Sequence, residues 1–199
     1  MNPLFSLYVL DTETTGLVSL KHSIIELSIL RISDGSQKTW CIKPHRETDI
    51  EEEALRINGH KLEDILHRTE EGRLKYLPPS EVVSDIENYM MEDGCAPEQR
   101  VMVAQNGAFD IEFLFELWNH CGSRETFPFG KRPFMLDTRQ IALFLDYCMD
   151  KRETYYNLGS LVQKYGVKKL KSHEASSDTK MTADVFLAQV YQIRKLINK

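Results

Sequence analysis

Three apolar runs near the start of the chain constrain its fold more than any other feature. Leu7-Tyr8-Val9-Leu10 has the length and density of a buried strand, and Ile24 to Ile32 and Gln37 to Lys43 read as two more, joined through Asp34-Gly35. An Asp-Gly pair supplies the positive φ angles of a tight hairpin turn, so the chain is expected to begin as three antiparallel strands. Helical spacing follows at Glu51 to Ile57 and at Glu81 to Met91, the latter behind Pro78-Pro79-Ser80, with Ser80 as the expected N-cap. Arg100 to Ala104 reads as a fourth strand, Phe109 to His120 as a helix, and Phe134 to Leu136 as a fifth strand. Helices are then expected over Thr138 to Cys148, Asn157 to Tyr165 and Ala175 to Leu196. This order predicts an α/β layer structure with a mixed five-stranded sheet. No repeat or linker interrupts it, so residues 1–199 read as one domain.

Charge matters here through its distribution. The chain carries 25 Lys+Arg against 30 Asp+Glu, a net −5, which taken whole speaks against a nucleic-acid partner. Yet residues 51–100 hold 6 basic and 13 acidic groups, whereas residues 151–199 hold 10 and 4. Such asymmetry can steer a polyanion toward one face. No apolar run is long enough to span a membrane. Cys41, Cys95, Cys121 and Cys148 form no C-x-x-C pair and read as reduced, mostly buried thiols of a cytoplasmic protein.

Chemistry concentrates in three places. Asp11-Thr12-Glu13-Thr14-Thr15-Gly16-Leu17 follows the first strand directly, and residues two apart on a strand share a face, so the Asp11 and Glu13 carboxylates stand side by side. Adjacent carboxylates repel unless a cation lies between them, and hard oxygen ligands suit Mg²⁺ or Mn²⁺. Taken alone, an acid-x-acid pair is an acidic turn more often than a metal site. Gln105-Asn106-Gly107-Ala108-Phe109-Asp110 lies where the fourth strand meets a helix, placing Asp110 in its first turn. It reads equally as a helix start with Phe109 in the core or as a ligand site. In Ser172-His173-Glu174-Ala175-Ser176-Ser177-Asp178, a histidine precedes a helix that bears a carboxylate, an arrangement suited to a base beside a metal ligand.

Jointly, the three segments resemble the DEDDh (DnaQ-like) family of 3′→5′ exonucleases, among them the proofreading epsilon subunit of bacterial DNA polymerase III and its stand-alone relatives. The likeness runs through Asp11-x-Glu13, Asn106-x-x-x-Asp110 and His173 with Asp178, and more weakly through Ile24-Ile25-Glu26-Leu27, Ile57-Asn58-Gly59, Asp137-Thr138, Asn157-Leu158 and Ala183-Asp184. It covers nearly the whole chain. It implies a ribonuclease-H-like fold and a two-metal phosphodiesterase releasing nucleoside monophosphates from 3′ ends, with Asp11, Glu13, Asp110 and Asp178 holding two Mg²⁺ or Mn²⁺ ions and His173 as general base.

The resemblance further implies Thr12, Thr14, Leu17, Asn58, Asn106 and Phe109 as contacts to the terminal nucleotide, with ordinary core positions the competing reading for Leu17 and Phe109. Lys168, Lys169 and Lys171 are the expected phosphate contacts on the incoming strand. Glu174 stands where the tyrosine variant of the family has its tyrosine. The short stretch after the last helix leads us to expect a free-standing enzyme, with polymerase association as an alternative. Single-stranded or frayed DNA 3′ ends are the expected substrate; RNA ends, or a non-catalytic binding module, are the competing readings.

Overall fold

The computed structural model describes residues 5–198. Six strands form one mixed sheet: β1 (Ser6–Thr14), β2 (Ile24–Arg31), β3 (Gln37–Ile42), β4 (Tyr76–Leu77), β5 (Arg100–Ala104) and β6 (Phe134–Asp137). Their order across the sheet is β4-β3-β2-β1-β5-β6. β1, β2 and β3 pair antiparallel as expected, while β5 joins β1, β6 joins β5 and β4 joins β3 in parallel. The expected five-stranded sheet therefore becomes six-stranded. The added member is only two residues long, too short to leave a periodic signal in the sequence.

The helices are α1 (Glu52–Asn58), α2 (Leu62–Ile65), α3 (Glu70–Lys75), α4 (Pro79–Met91), α5 (Ala108–His120), α6 (Thr138–Cys148), α7 (Leu158–Lys164) and α8 (Ala175–Ile197). Short, polar α2 and α3 escape the sequence pattern. Ser80 is not the N-cap of α4; Pro78 is, and Pro79 opens the helix, where its missing N–H costs nothing. The β2–β3 hairpin also departs from a two-residue turn. Only Gly35 of the Asp-Gly pair has a positive φ, 72°, in a longer loop closed by Gly35 N–H to Arg31 O and Arg31 N–H to Ser36 O. Asp34 serves instead as an acceptor, binding Ser36 N and the Arg31 guanidinium. The free cysteines are less buried than expected, with Cys148 exposed and the others half-buried.

Strand parity sorts the packing. Tyr8 and Leu10 of β1, with Leu27 and Ile29 of β2, pack beneath Val82, Ile86 and Met90 of α4 and Phe113, Leu117 and Trp118 of α5. On the opposite face, Val9, Leu30 and Val103 meet Ala183 and Phe186 of α8. Odd-numbered residues of β1 thus face α8 and even-numbered ones face α5. The start of α8 is pinned to the sheet by Gln37 Nε2 to Ser176 O (2.8 Å) and by Thr179 Oγ1 to Ser28 O (3.4 Å). No helix among the described residues is long and apolar enough to cross a membrane.

Candidate active site

β1 outruns its neighbour. Its pairing with β5 ends at Val9 opposite Val103, while its pairing with β2 continues to Thr14 opposite Ile24. Asp11 and Glu13 therefore stand on an overhang at the carboxyl ends of the parallel strands, the usual place for ligands in an α/β sheet. Both face α8, whose first turn supplies Asp178, and oxygens of Asp11, Glu13 and Asp178 lie within 4.8 Å of one another.

Thr12 points the other way and joins the fourth acid: its hydroxyl donates to Asp110 Oδ1 at 2.8 Å. Asp110 is buried in the first turn of α5. Gly107 permits that start, since a Cβ there would lie 2.3 Å from Met135 Sδ and 2.9 Å from Ala104 Cβ.

The cluster strains against ionisation. Burial, reinforced by Asp110, Asp178, Glu13 and Glu26, holds Asp11 well above the ordinary carboxylate range. Burial, with the charges of Asp178, Glu26 and Asp110, pushes Glu13 up to about 8. Burial pushes Asp110 up to about 7 despite the Thr12 hydrogen bond, and it raises Asp178 against the opposing His173 amide. Asp178 Oδ2 accepts that amide at 3.0 Å, but its Oδ1 is buried without a hydrogen-bond partner. An orphaned carboxylate oxygen among crowded acids is a donor set for a hard divalent cation, which offsets the repulsion and satisfies the oxygen.

His173 is exposed at the mouth, with a left-handed φ of 62° just before α8. With Asp178, Lys169, Asn157 and Leu158 it lines a cavity of about 310 Å³. Lys168 is also exposed, while exposed Lys171 reaches toward Glu174 at 3.4 Å.

The remaining expected contacts divide. Leu17 is 76% exposed, which removes the core reading for it, whereas half-buried Phe109 packs on the core with its ring 4.8 Å from Phe113. Thr14 is buried and donates to Gly16 O, while Asn58 Nδ2 donates to Thr14 O at 3.1 Å and so braces the acidic strand. Asn106 is exposed with φ 64°, four residues before Asp110.

Two groups behind the site have a place in the structure to which the sequence assigns no role. Glu26 lies opposite Glu13 in the β1–β2 register and is buried, with His60 Nε2 3.1 Å from its Oε2 and His60 Nδ1 2.5 Å from the Tyr76 hydroxyl. An acid inside an otherwise apolar buried strand was the available signal. His22 braces the Leu17 loop: Val18 N–H donates to its Nδ1 at 2.9 Å, and its Nε2 lies 3.3 Å from Glu51.

Known proteins resemble this chain in sequence and in fold. The family described as RNase_T, exonuclease, matches residues 8–186. PolC-type DNA polymerase III of Thermotoga petrophila is 30% identical over 192 residues, covering 94% of this chain and 12% of the polymerase, and that of Thermotoga maritima is 29% identical with the same coverage. The chain thus spans about an eighth of the length of these curated relatives. Among solved structures, zinc-bound E. coli ExoI in complex with single-stranded DNA superposes with a TM-score of 0.73 at 15% identity, over 96% of this chain and 41% of the other. Exonuclease I of Methylocaldum szegediense gives 0.72 at 17% identity, over 94% and 40%. At these identities the superpositions establish the fold.

Proposed function

The chain belongs to the RNase_T exonuclease family, and from that premise we propose that it is a metal-dependent 3′→5′ exonuclease releasing nucleoside monophosphates from single-stranded or frayed DNA. The observation that carries this reading is the convergence of Asp11, Glu13 and Asp178 within 4.8 Å, with a buried Asp178 oxygen left unpartnered. Asp11, Glu13, Asp110 and Asp178 would hold two Mg²⁺ or Mn²⁺ ions. When bound, such a pair supplies water activation and neutralises charge on the attacking and leaving oxygens.

The chain's own residues do the rest. Leu17 offers its exposed side chain to the terminal base, and Asn58 and Thr12 hold the acidic strand and Asp110 in place. Lys169 sits beside His173 and attracts the phosphate backbone. A ring nitrogen of His173 accepts the proton of the attacking water as the new O–P bond forms. The bond between phosphorus and the 3′ oxygen breaks, and that oxygen stays on the shortened strand and takes a proton from solvent. The tie between the His173 amide and Asp178 keeps the base next to a ligand. The free thiols suit a reducing, cytoplasmic setting.

The test is nucleotide release from DNA and RNA strands of identical sequence with labelled 3′ ends, in Mn²⁺. Stepwise release from DNA that disappears in Asp11→Asn supports the reading. Faster release from RNA overturns the DNA assignment in favour of an exoribonuclease. No release from either strand overturns the enzyme assignment and leaves a nucleic-acid-binding module.

A further inference from the structure

The loop between β1 and β2, residues 15–23, leaves Leu17, Val18 and Leu20 exposed. Apolar side chains standing in water do nothing to hold such a loop in one shape, so its order comes from beneath. At its base, Thr15 N–H donates to Ser23 O and Ser23 N–H donates to Thr15 Oγ1, both at 2.9 Å, while Glu51 N–H donates to Thr15 O at 2.8 Å. Arg46 donates to Ser19 O at 3.1 Å and to Glu116 of α5 at 2.8 Å, tying the loop to that helix.

The part that carries Leu17 rests on one side chain. His22 is buried beneath the loop and satisfies both polar groups of the Val18 backbone: Val18 N–H donates to the ring Nδ1 at 2.9 Å, and His22 N–H donates to Val18 O at 2.8 Å. On the other side of Leu17, Gly16 lies against the same ring, where a Cβ would stand 2.6 Å from Cδ2, Cε1 and Nε2. Leu17 is therefore held between two neighbours that both rest on the imidazole. An Nδ1 that accepts carries no proton, so the ring proton sits on Nε2, which faces Glu51 at 3.3 Å. Glu51 thus favours the tautomer that the loop needs.

Among the described residues, His22 makes no hydrogen bond or ion pair with Asp11, Glu13, Asp110 or Asp178. Its reach is confined to the loop. An apolar side chain separates a base from its neighbour only if the backbone behind it does not recoil, and ordering a loose loop at the moment of binding would subtract from affinity.

We infer that His22 is a positioning residue for the terminal-nucleotide subsite, its Nδ1 holding Leu17 as a rigid wedge against the last base. This rests on the proposed function in placing that base against Leu17.

The experiment binds a DNA strand ending in 2-aminopurine in Ca²⁺; the probe brightens when the terminal base is unstacked from its neighbour. Brightening seen with the parent disappears in Leu17→Ala and in His22→Gln, whose amide reaches the place of Nε2 and leaves Val18 N–H without its acceptor. His22→Asn sets an oxygen near the place of Nδ1 and restores most of the signal. In Mn²⁺, His22→Gln lowers kcat/KM on single strands about ten-fold in the parent but less than about two-fold in Leu17→Ala, because the two residues act as a unit. Equal losses in both backgrounds, or equal behaviour of Asn and Gln, overturn the inference, since a merely structural role predicts both. Should neither His22 variant fold, Glu51→Ala keeps the ring but removes the partner that fixes its tautomer, and brightening equal to the parent's overturns the inference. A protein that hydrolyses no strand yet loses the signal in His22→Gln retains the positioning role and refutes the nuclease reading. An active nuclease that keeps the signal in His22→Gln refutes the positioning role alone.

Discussion

Glu13→Gln should stabilise the metal-free protein while removing its response to metal. Burial and the neighbouring acids raise the Glu13 carboxyl from 4.5 to about 8 in the folded state. A raised folded-state value contributes stability that is complete below the unfolded value of about 4.5 and is lost as pH climbs through about 8. At 1.36 kcal/mol per unit, ionising this group in the metal-free fold costs about 4 kcal/mol at pH 8 and under about 1 kcal/mol at pH 5. Glutamine keeps the size and removes the charge. Allowing for relaxation of the other acids, we expect a gain of about 2–4 kcal/mol at pH 8, or roughly 4–16 °C in Tm for a chain of this length. Calorimetry in EDTA at the two pH values measures it. Added Mn²⁺ should then raise the Tm of the parent at pH 8 far more than that of the variant. A variant that melts at or below the parent at pH 8 without metal, or that gains equally at both pH values, would refute the electrostatic account of the cluster.

Three further outcomes test other parts of the molecule. His173→Asn, at an exposed left-handed position that asparagine tolerates, should lower kcat about 10²–10⁴-fold with stability changed by less than about 0.5 kcal/mol; retained kcat in a steady-state assay would remove His173 as the base. Leu17→Ala should cost about ten-fold or more in kcat/KM on single strands, with no change in Tm, if its exposed side chain is covered by the terminal base. Asp93→Asn should destabilise by about 3–5 kcal/mol, because the buried Arg100 guanidinium loses its charge partner at 2.7 Å. Burial opposes ionisation of Asp93, but Arg100, the Cys95 amide and the Tyr8 hydroxyl outweigh it and lower the carboxyl to about 2. About 2 kcal/mol of that stability, the share linked to the lowered carboxyl, is present above about pH 4 and is lost as pH falls through about 2. Denaturant melts of parent and variant should differ more at pH 7 than at pH 2.

What could be read from sequence was what depends on short-range periodicity. The alternation Val9, Asp11, Glu13 on a buried strand puts two acids on one face, and the placement of Asp110 and Asp178 in first helical turns follows from the helical spacing. The parts that could not be read depend on register between distant segments. That Glu26 opposes Glu13 requires the exact β1–β2 pairing, including the irregularity at Glu13/Thr14. His60 reaches Glu26 only through the arrangement of α1 to α3, whose polar turns carry no long apolar period.

The early end of the β1–β5 pairing explains how acids from both layers of the fold meet. Asp11 and Glu13 face α8 and reach Asp178 directly, but Asp110 belongs to α5 on the opposite face, and a continuous sheet would stand between them. Pairing with β5 stops at Val9, and after Ala104 the chain turns through Gln105 and Asn106 into α5. The opening this leaves beside the β1 overhang lets Asp110 come around the sheet to Thr12, close enough for its charge to act on Asp11. Gly107 keeps the turn tight enough for that approach. The net −5 is thus partly a local property: these four acids are crowded where two layers and a strand end converge, and the basic segment around Lys168 and Lys169 borders the same opening. A polyanion drawn to that border arrives where divalent ions would neutralise the acids, so substrate attraction and acid crowding occupy one mouth without opposing each other.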